Sequence, residues 1–148
     1  MTIIKIIVSG FFVYVISPAL LAIRDILLLK VIEKFIITDE LFFNIKLCES
    51  DRWQLNNKFS FSREVGIPLA SGESVLKIGD KKVSIKEFHD YEENLNFHQV
   101  RFDKLNAKIN MRHNLIFWLT KHYKTDELKS PIPKLREEAY ERAEKQNS

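Results

Sequence analysis

The sequence predicts an α+β chain: an N-terminal transmembrane/amphipathic helix, a small antiparallel β-sheet with a hairpin, and a long C-terminal helix. Three observations predict it. Residues 6–23, IIVSGFFVYVISPALLAI, carry no charge over 18 positions. Residues 75–85 alternate apolar and polar side chains about a Gly79-Asp80 turn. A heptad-like stripe then runs from Tyr91 to Tyr123 at steps of four and three.

With Ile3 and Ile4 added, the uncharged run reaches the ~20 residues that cross ~30 Å of hydrocarbon. It has no polar face, so a half-exposed surface helix does not fit. Its membrane-spanning residues include Ile6, Phe11, Phe12, Tyr14, Pro18, Leu21 and Ile23, with a kink expected near Pro18. A cleaved signal peptide has a shorter apolar core after a basic start. Here the start holds one lysine, Lys5, and apolar character resumes at once in ILLLKVI. The segment therefore reads as an uncleaved signal-anchor. Arg24, Lys30 and Lys34 on its C-terminal side outnumber Lys5, which places the following domain on the cytoplasmic side.

Leu28, Val31, Ile32, Phe35 and Ile36 fall at i, i+3, i+4, i+7 and i+8, with Lys30, Glu33 and Lys34 between them. The anchor should continue as an amphipathic helix to about Ile37, packed on the domain or along the membrane interface. Thr38-Asp39-Glu40 can start a further helical turn, leaving residues 42–47 open between helix and strand.

The segment KFSFSREV, from Lys58, alternates imperfectly, and SVLKIGDKKVSIKEF alternates cleanly around its turn. Together they make a three-stranded antiparallel patch, about the minimum for a stable sheet. Ser84-Ile85-Lys86-Glu87 has capping-box spacing, so a helix should begin near Ile85 and run to about Lys124. Its stripe is Tyr91, Leu95, His98, Phe102, Leu105, Ile109, Arg112, Ile116, Leu119 and Tyr123, interrupted by His98 and Arg112. Asparagines make a break near Asn94 conceivable. The stripe serves either as a core face or as a seam for a partner helix or self-association. In the second reading Phe102, Leu105, Ile109, Ile116 and Leu119 bind the partner. Residues 115–119, Leu-Ile-Phe-Trp-Leu, are apolar around more of the helix than one stripe needs. They form either the most buried turn or, with Lys121 and Tyr123, a membrane-interface contact.

Prolines 131 and 133 break the chain before a charged segment that reads as a solvated helix or a docking peptide. The resulting organisation is an anchor over 1–23, an amphipathic juxtamembrane helix over 24–47, a small α+β domain over 48–124 with its helix at 85–124, and a charged tail over 125–148.

Chemistry is sparse. A net charge of +3, with 23 basic and 20 acidic residues, argues weakly for nucleic acid, and the basic residues are spread among acids with no aromatic ladder. Cys48 is the single cysteine, so neither an intramolecular disulfide nor a Cys-based zinc site can form. His89 and His98, and likewise His113 and His122, sit nine apart and face opposite ways on one helix, so no metal is expected. Adjacent acid pairs read as solvated charge, and no catalytic or phosphate-binding motif occurs. No cofactor, no metal and no enzymatic activity are expected, and no nucleic-acid partner. The chain reads as a single-pass membrane protein whose partners are the lipid bilayer and other protein, an accessory or interaction subunit of a membrane-associated assembly. The alternatives are a soluble or secreted α+β binding domain with a cleaved signal peptide, and a small membrane-active protein that perturbs the bilayer or a channel.

Overall fold

The computed structural model describes residues 12–66, 75–125 and 129–147. These residues are mostly helical with one small antiparallel sheet, the α+β class the sequence predicts. Helix α1 covers Phe12–Ile36 and α2 Asp39–Asn57. Strands β1 (Arg63–Gly66), β2 (Val75–Ile78) and β3 (Lys81–Val83) follow, then α3 (Ile85–His122) and α4 (Ile132–Asn147).

Helix α1 is α-helical over Ser17–Val31 and widens to π-helical turns over Phe12–Ile16 and Ile32–Ile36. The first wide turn ends two residues before Pro18, whose ring would press on a preceding carbonyl in a regular α-turn. Ser17 Oγ donates to the Phe12 carbonyl at 3.2 Å there. The helix ends at Ile36, one residue from the limit read from the apolar spacing, and Ile37 (φ −91, ψ 79) leaves the helical conformation. Thr38 then caps α2: its Oγ1 accepts the Leu41 N–H at 3.4 Å, and its carbonyl accepts the same N–H at 2.9 Å. Asp39 and Glu40 place negative charge in the first turn, where the helix dipole favours it. Residues 42–47, left open by the sequence, are thus the interior of a 19-residue helix.

The sheet has order β1-β2-β3, antiparallel throughout, with Arg63 opposite Ile78 and Leu76 opposite Val83. Two residues, Gly79 and Asp80, connect β2 to β3. Gly79 alone has positive φ, +59, the backbone a two-residue type II′ turn asks of its first position. A Cβ there would also meet the Phe61 ring at 3.3 Å. Phe59 and Phe61, read as strand residues, precede β1; Phe59 lies against Tyr91 and His98, with ring centroids 5.2 and 5.4 Å apart.

The capping box forms reciprocally. Glu87 N–H donates to Ser84 Oγ at 3.2 Å, and Ser84 N–H donates to Glu87 Oε2 at 2.8 Å. The bond from the Ser84 N–H first, and a second that Ser84 Oγ donates to Oε2 at 2.9 Å, hold the Glu87 carboxyl below its ordinary range. From there α3 runs unbroken for 38 residues, about 57 Å at 1.5 Å per residue. No break occurs at Asn94, whose Nδ2 donates to the Asp90 carbonyl at 2.7 Å; one asparagine costs only tenths of a kcal/mol, up to ~0.7, against packing along the helix. The helix ends at His122, two residues before the expected limit. Thr125 N–H bonds the Thr120 carbonyl and Lys124 N–H the Lys121 carbonyl, with Lys124 left-handed at φ 54. This is a Schellman ending with lysine in the place glycine usually takes.

The chain divides into two compact units, one of α1, the chain to Leu41 and Arg112–Ser130, the other of Phe42–Met111 and the chain from Pro131. The first buries Leu28, Ile32, Ile36, Leu41 and Ile116; the second buries Ile45, Cys48, Trp53, Phe88, Leu105, Ile109, Ile132 and Ala143. In the second unit the charged tail departs from the solvated helix expected of it. Ile132, Leu135, Ala139 and Ala143 recur at i, i+3, i+7 and i+11, and Ile132 and Ala143 are buried at the ends of that stripe.

Candidate membrane-contact surface

Among the described residues one helix, α1, is long and apolar enough to cross a membrane. It has 25 residues, and only 6% of its most apolar 18-residue window is buried. Of the spanning residues read from the sequence, Phe12, Tyr14, Pro18, Leu21 and Ile23 are exposed on this helix, Tyr14 at 82%. Ile6 and Phe11 lie outside the described residues. A core helix of a soluble domain hides its apolar side chains, and this one displays them.

Burial begins one turn past Arg24. Leu28, Ile32 and Ile36 turn inward at i, i+4 and i+8, while Val31 and Phe35 stay exposed, so the inward face is narrower than the predicted five-residue stripe. Within this unit the end of α3 lies along the helix: Leu119 and Tyr123 share an apolar groove with Leu20, Ile23, Leu27 and Leu28. The Arg24 guanidinium sits 5.9 Å from the centre of the Tyr123 ring and is paired with Asp25 at 2.7 Å.

Arg112 fastens the place where α1 stops. Its Nη1 donates to the Ile36 carbonyl at 3.2 Å and to Thr38 Oγ1 at 2.8 Å, and its Nη2 donates to Glu40 Oε2 at 2.7 Å. One guanidinium thereby satisfies an end carbonyl of α1 and engages the cap and first turn of α2. His113 Nδ1 lies 2.9 Å from Ser130 Oγ nearby.

The second unit carries a different polar feature, two buried carboxylates on α2. Asp51 is fully buried and accepts two bonds from Arg101, Nε at 2.7 Å and Nη2, and a third contact from His98 Nδ1 at 2.7 Å. Hydrogen bonding to Asp51 raises the Arg101 pKa, so the guanidinium is charged at any working pH. Glu49, also fully buried, takes Arg136 of α4 and, at 3.4 Å, Arg52. Arg136 further donates to Asn106 Oδ1 at 2.9 Å. Positions 49 and 51 are about 200° apart on a helix, so the two carboxylates face different neighbours: α3 through Asp51, α4 through Glu49. Cys48 beside them is buried, and that burial pushes its thiol up to about 11, with Arg136 opposing and the two carboxylates adding to the rise. These groups are saturated by one another, which makes the cluster a clamp between helices.

The partner stripe divides. Leu105 and Ile109 are buried in the second unit and Ile116 in the first; Phe102 and Leu119 are half-buried. The three buried positions belong to the chain's own interior and have no surface to offer a partner. His98 and Arg112, the interruptions in that stripe, both make polar cross-helix contacts, to Asp51 and to Glu40, while Arg101 and Asn106 make others from outside it. A charge or imidazole on an otherwise apolar face was the signal for the first two. Glu49 and Asp51 carried no such signal, because acidic residues in a mixed helical segment read as solvated.

Among the described residues no group of three histidine, cysteine or acidic side chains converges as metal ligands would. Comparison with family models, with curated proteins and with solved structures finds no match to the chain.

Proposed function

We propose that this chain is a non-enzymatic single-pass membrane protein, an accessory or interaction subunit of a membrane-associated assembly with its folded domain on the cytoplasmic side. The observation that carries the anchoring is the exposed apolar length of α1. A run of Phe, Val, Leu and Ile side chains from Phe12 to Leu27 in contact with water would be a severe aggregation liability, and a bilayer is the medium that suits it. The buried carboxylates Glu49 and Asp51 are engaged by Arg136, Arg101 and His98, which supports a structural use of these groups over a catalytic one. The basic excess beyond Ile23 supports the cytoplasmic side.

Alkaline carbonate extraction of membranes holding the full chain with a C-terminal tag tests the anchor. A full-size band in the pellet is expected; release to the supernatant, or a band shortened at its N-terminus, would reject it. Native electrophoresis of the same membranes in mild detergent tests the assembly. A species much larger than the 17.5 kDa chain is expected, and migration as a free monomer would reject the subunit role.

A further inference from the structure

We infer that the last turns of α3, residues 115–123, are a second membrane contact lying at the headgroup level beside α1. This inference rests on α1 being an anchor and adds which other surface meets lipid, and at what depth. The depth follows from packing inside one unit. Leu119 and Tyr123 share their groove with Leu20, Ile23 and Leu27, so the end of α3 reaches the final turn of the uncharged run that closes at Ile23. Arg24 and Asp25 begin there, and a hydrocarbon core of ~30 Å filled by the preceding ~20 residues ends at that height. The tip of α3 is therefore held at the boundary between acyl chains and headgroups.

Its composition suits that place. Leu115, Phe117 and Trp118 are exposed at 45, 58 and 57% on a folded helix whose inner face, Ile116 and Thr120, is already buried. They ring the helix on both flanks of that inner face, so together with Ile116 they leave little polar surface on this turn. The rings are linked to bases: Trp118 stacks on His122 at 5.3 Å, His122 meets Tyr123 at 5.0 Å, and Lys121 lies 5.9 Å over Phe117. Amphipathic aromatics flanked by cations are the side chains that favour the interface, with rings toward the acyl boundary and charges toward phosphate. A protein partner would have to cover this belt at the same height as the lipid headgroups around α1, so the bilayer is its nearest occupant.

Tryptophan fluorescence tests this in the full-length chain. The protein has two tryptophans, Trp118 and the buried Trp53, so Trp53→Phe leaves Trp118 as sole reporter. In phosphatidylcholine vesicles its emission should move to shorter wavelength than in the urea-unfolded chain. Lipid brominated high on the acyl chain should quench it more than lipid brominated near the chain end. If the chain floats with the vesicles and resists carbonate while Trp118 is unquenched by either lipid, α1 is an anchor and the second contact is wrong. Stronger quenching by the deep bromines also overturns the interfacial placement. Failure to float overturns the anchor and this inference together. Should Trp53→Phe not fold, the difference between the unmodified chain and Trp118→Phe isolates the same emission.

Discussion

Arg101→Met tests whether the fully buried Asp51 carboxylate depends on its guanidinium. The substitution keeps the long side-chain stem and removes the two bonds to Asp51. Asp51, fully buried, is left with His98 alone. Removing one partner of a buried pair costs about 3–5 kcal/mol, because the charge left behind has no water to turn to. The reverse change, Asp51→Ala, strands a guanidinium whose side chain is 32% exposed. It can swing to solvent, so its cost should be nearer about 1–2 kcal/mol, as for a lost hydrogen bond, roughly a third of the other. The double variant should then be more stable than Arg101→Met alone, since it removes the stranded charge. Urea titration of the full chain in detergent micelles measures all three, following Trp53 in a Trp118→Phe background. Trp53 is buried on α2 two residues from Asp51, so its emission reports this unit. Midpoints should shift with unchanged slope. Equal costs for the two single variants, or a double variant less stable than either, would refute the reasoning.

Four further outcomes are expected. Lys124→Gly should stabilise the end of α3 by about 0.5–1 kcal/mol, because glycine adopts the left-handed conformation without a Cβ penalty; no gain in the urea midpoint would contradict the Schellman assignment. Glu87 has a lowered folded pKa, so its capping contribution is complete above the unfolded value near 4.5 and is lost as pH falls through the folded one; Ser84→Ala, which removes the hydroxyl bond and keeps the backbone one, should reduce that acid-side loss without abolishing it in a pH series of melting curves. Cys48 has a raised pKa, so the unfolded chain ionises first and stability should fall as pH rises from about 9 towards 11; a thiol reagent at neutral pH should label it only as the protein opens, and labelling as fast as in urea would place it at the surface. Gly79→Val should lower the melting temperature by several degrees, ~4–8 °C per kcal/mol for a domain of this size, through both its positive φ and the Phe61 ring; an unchanged curve would remove the turn from the stability of the sheet.

Much of this architecture is legible residue by residue, and the reasons are local. A capping box places the start of α3 at Ile85, a two-residue turn with glycine places the hairpin, and a break after Ile36 follows from the end of an apolar spacing. Where one local signal competes with another, the sequence leaves the matter open. Residues 42–47 have apolar side chains that suit either a strand or a helix, and the Thr38 cap decides for a helix. The C-terminal segment has so few apolar residues that it reads as solvated, yet four of them share a face and α4 packs through Ile132, Ala143 and Arg136.

The sequence by itself determined the apolar length of α1, the α+β class and the turn and cap positions, because each depends on side chains within a few residues of one another. Tertiary structure alone decided which of those side chains are spent inside the chain. Leu105, Ile109 and Ile116 became core, while Leu115, Phe117 and Trp118 on the same helix stayed outside. Asp51 met His98 and Arg101 across 47 and 50 residues, and Glu49 met Arg136 across 87. Period and charge state what a residue can contact; the burial that makes a contact binding is a property of the neighbours that folding brings to it.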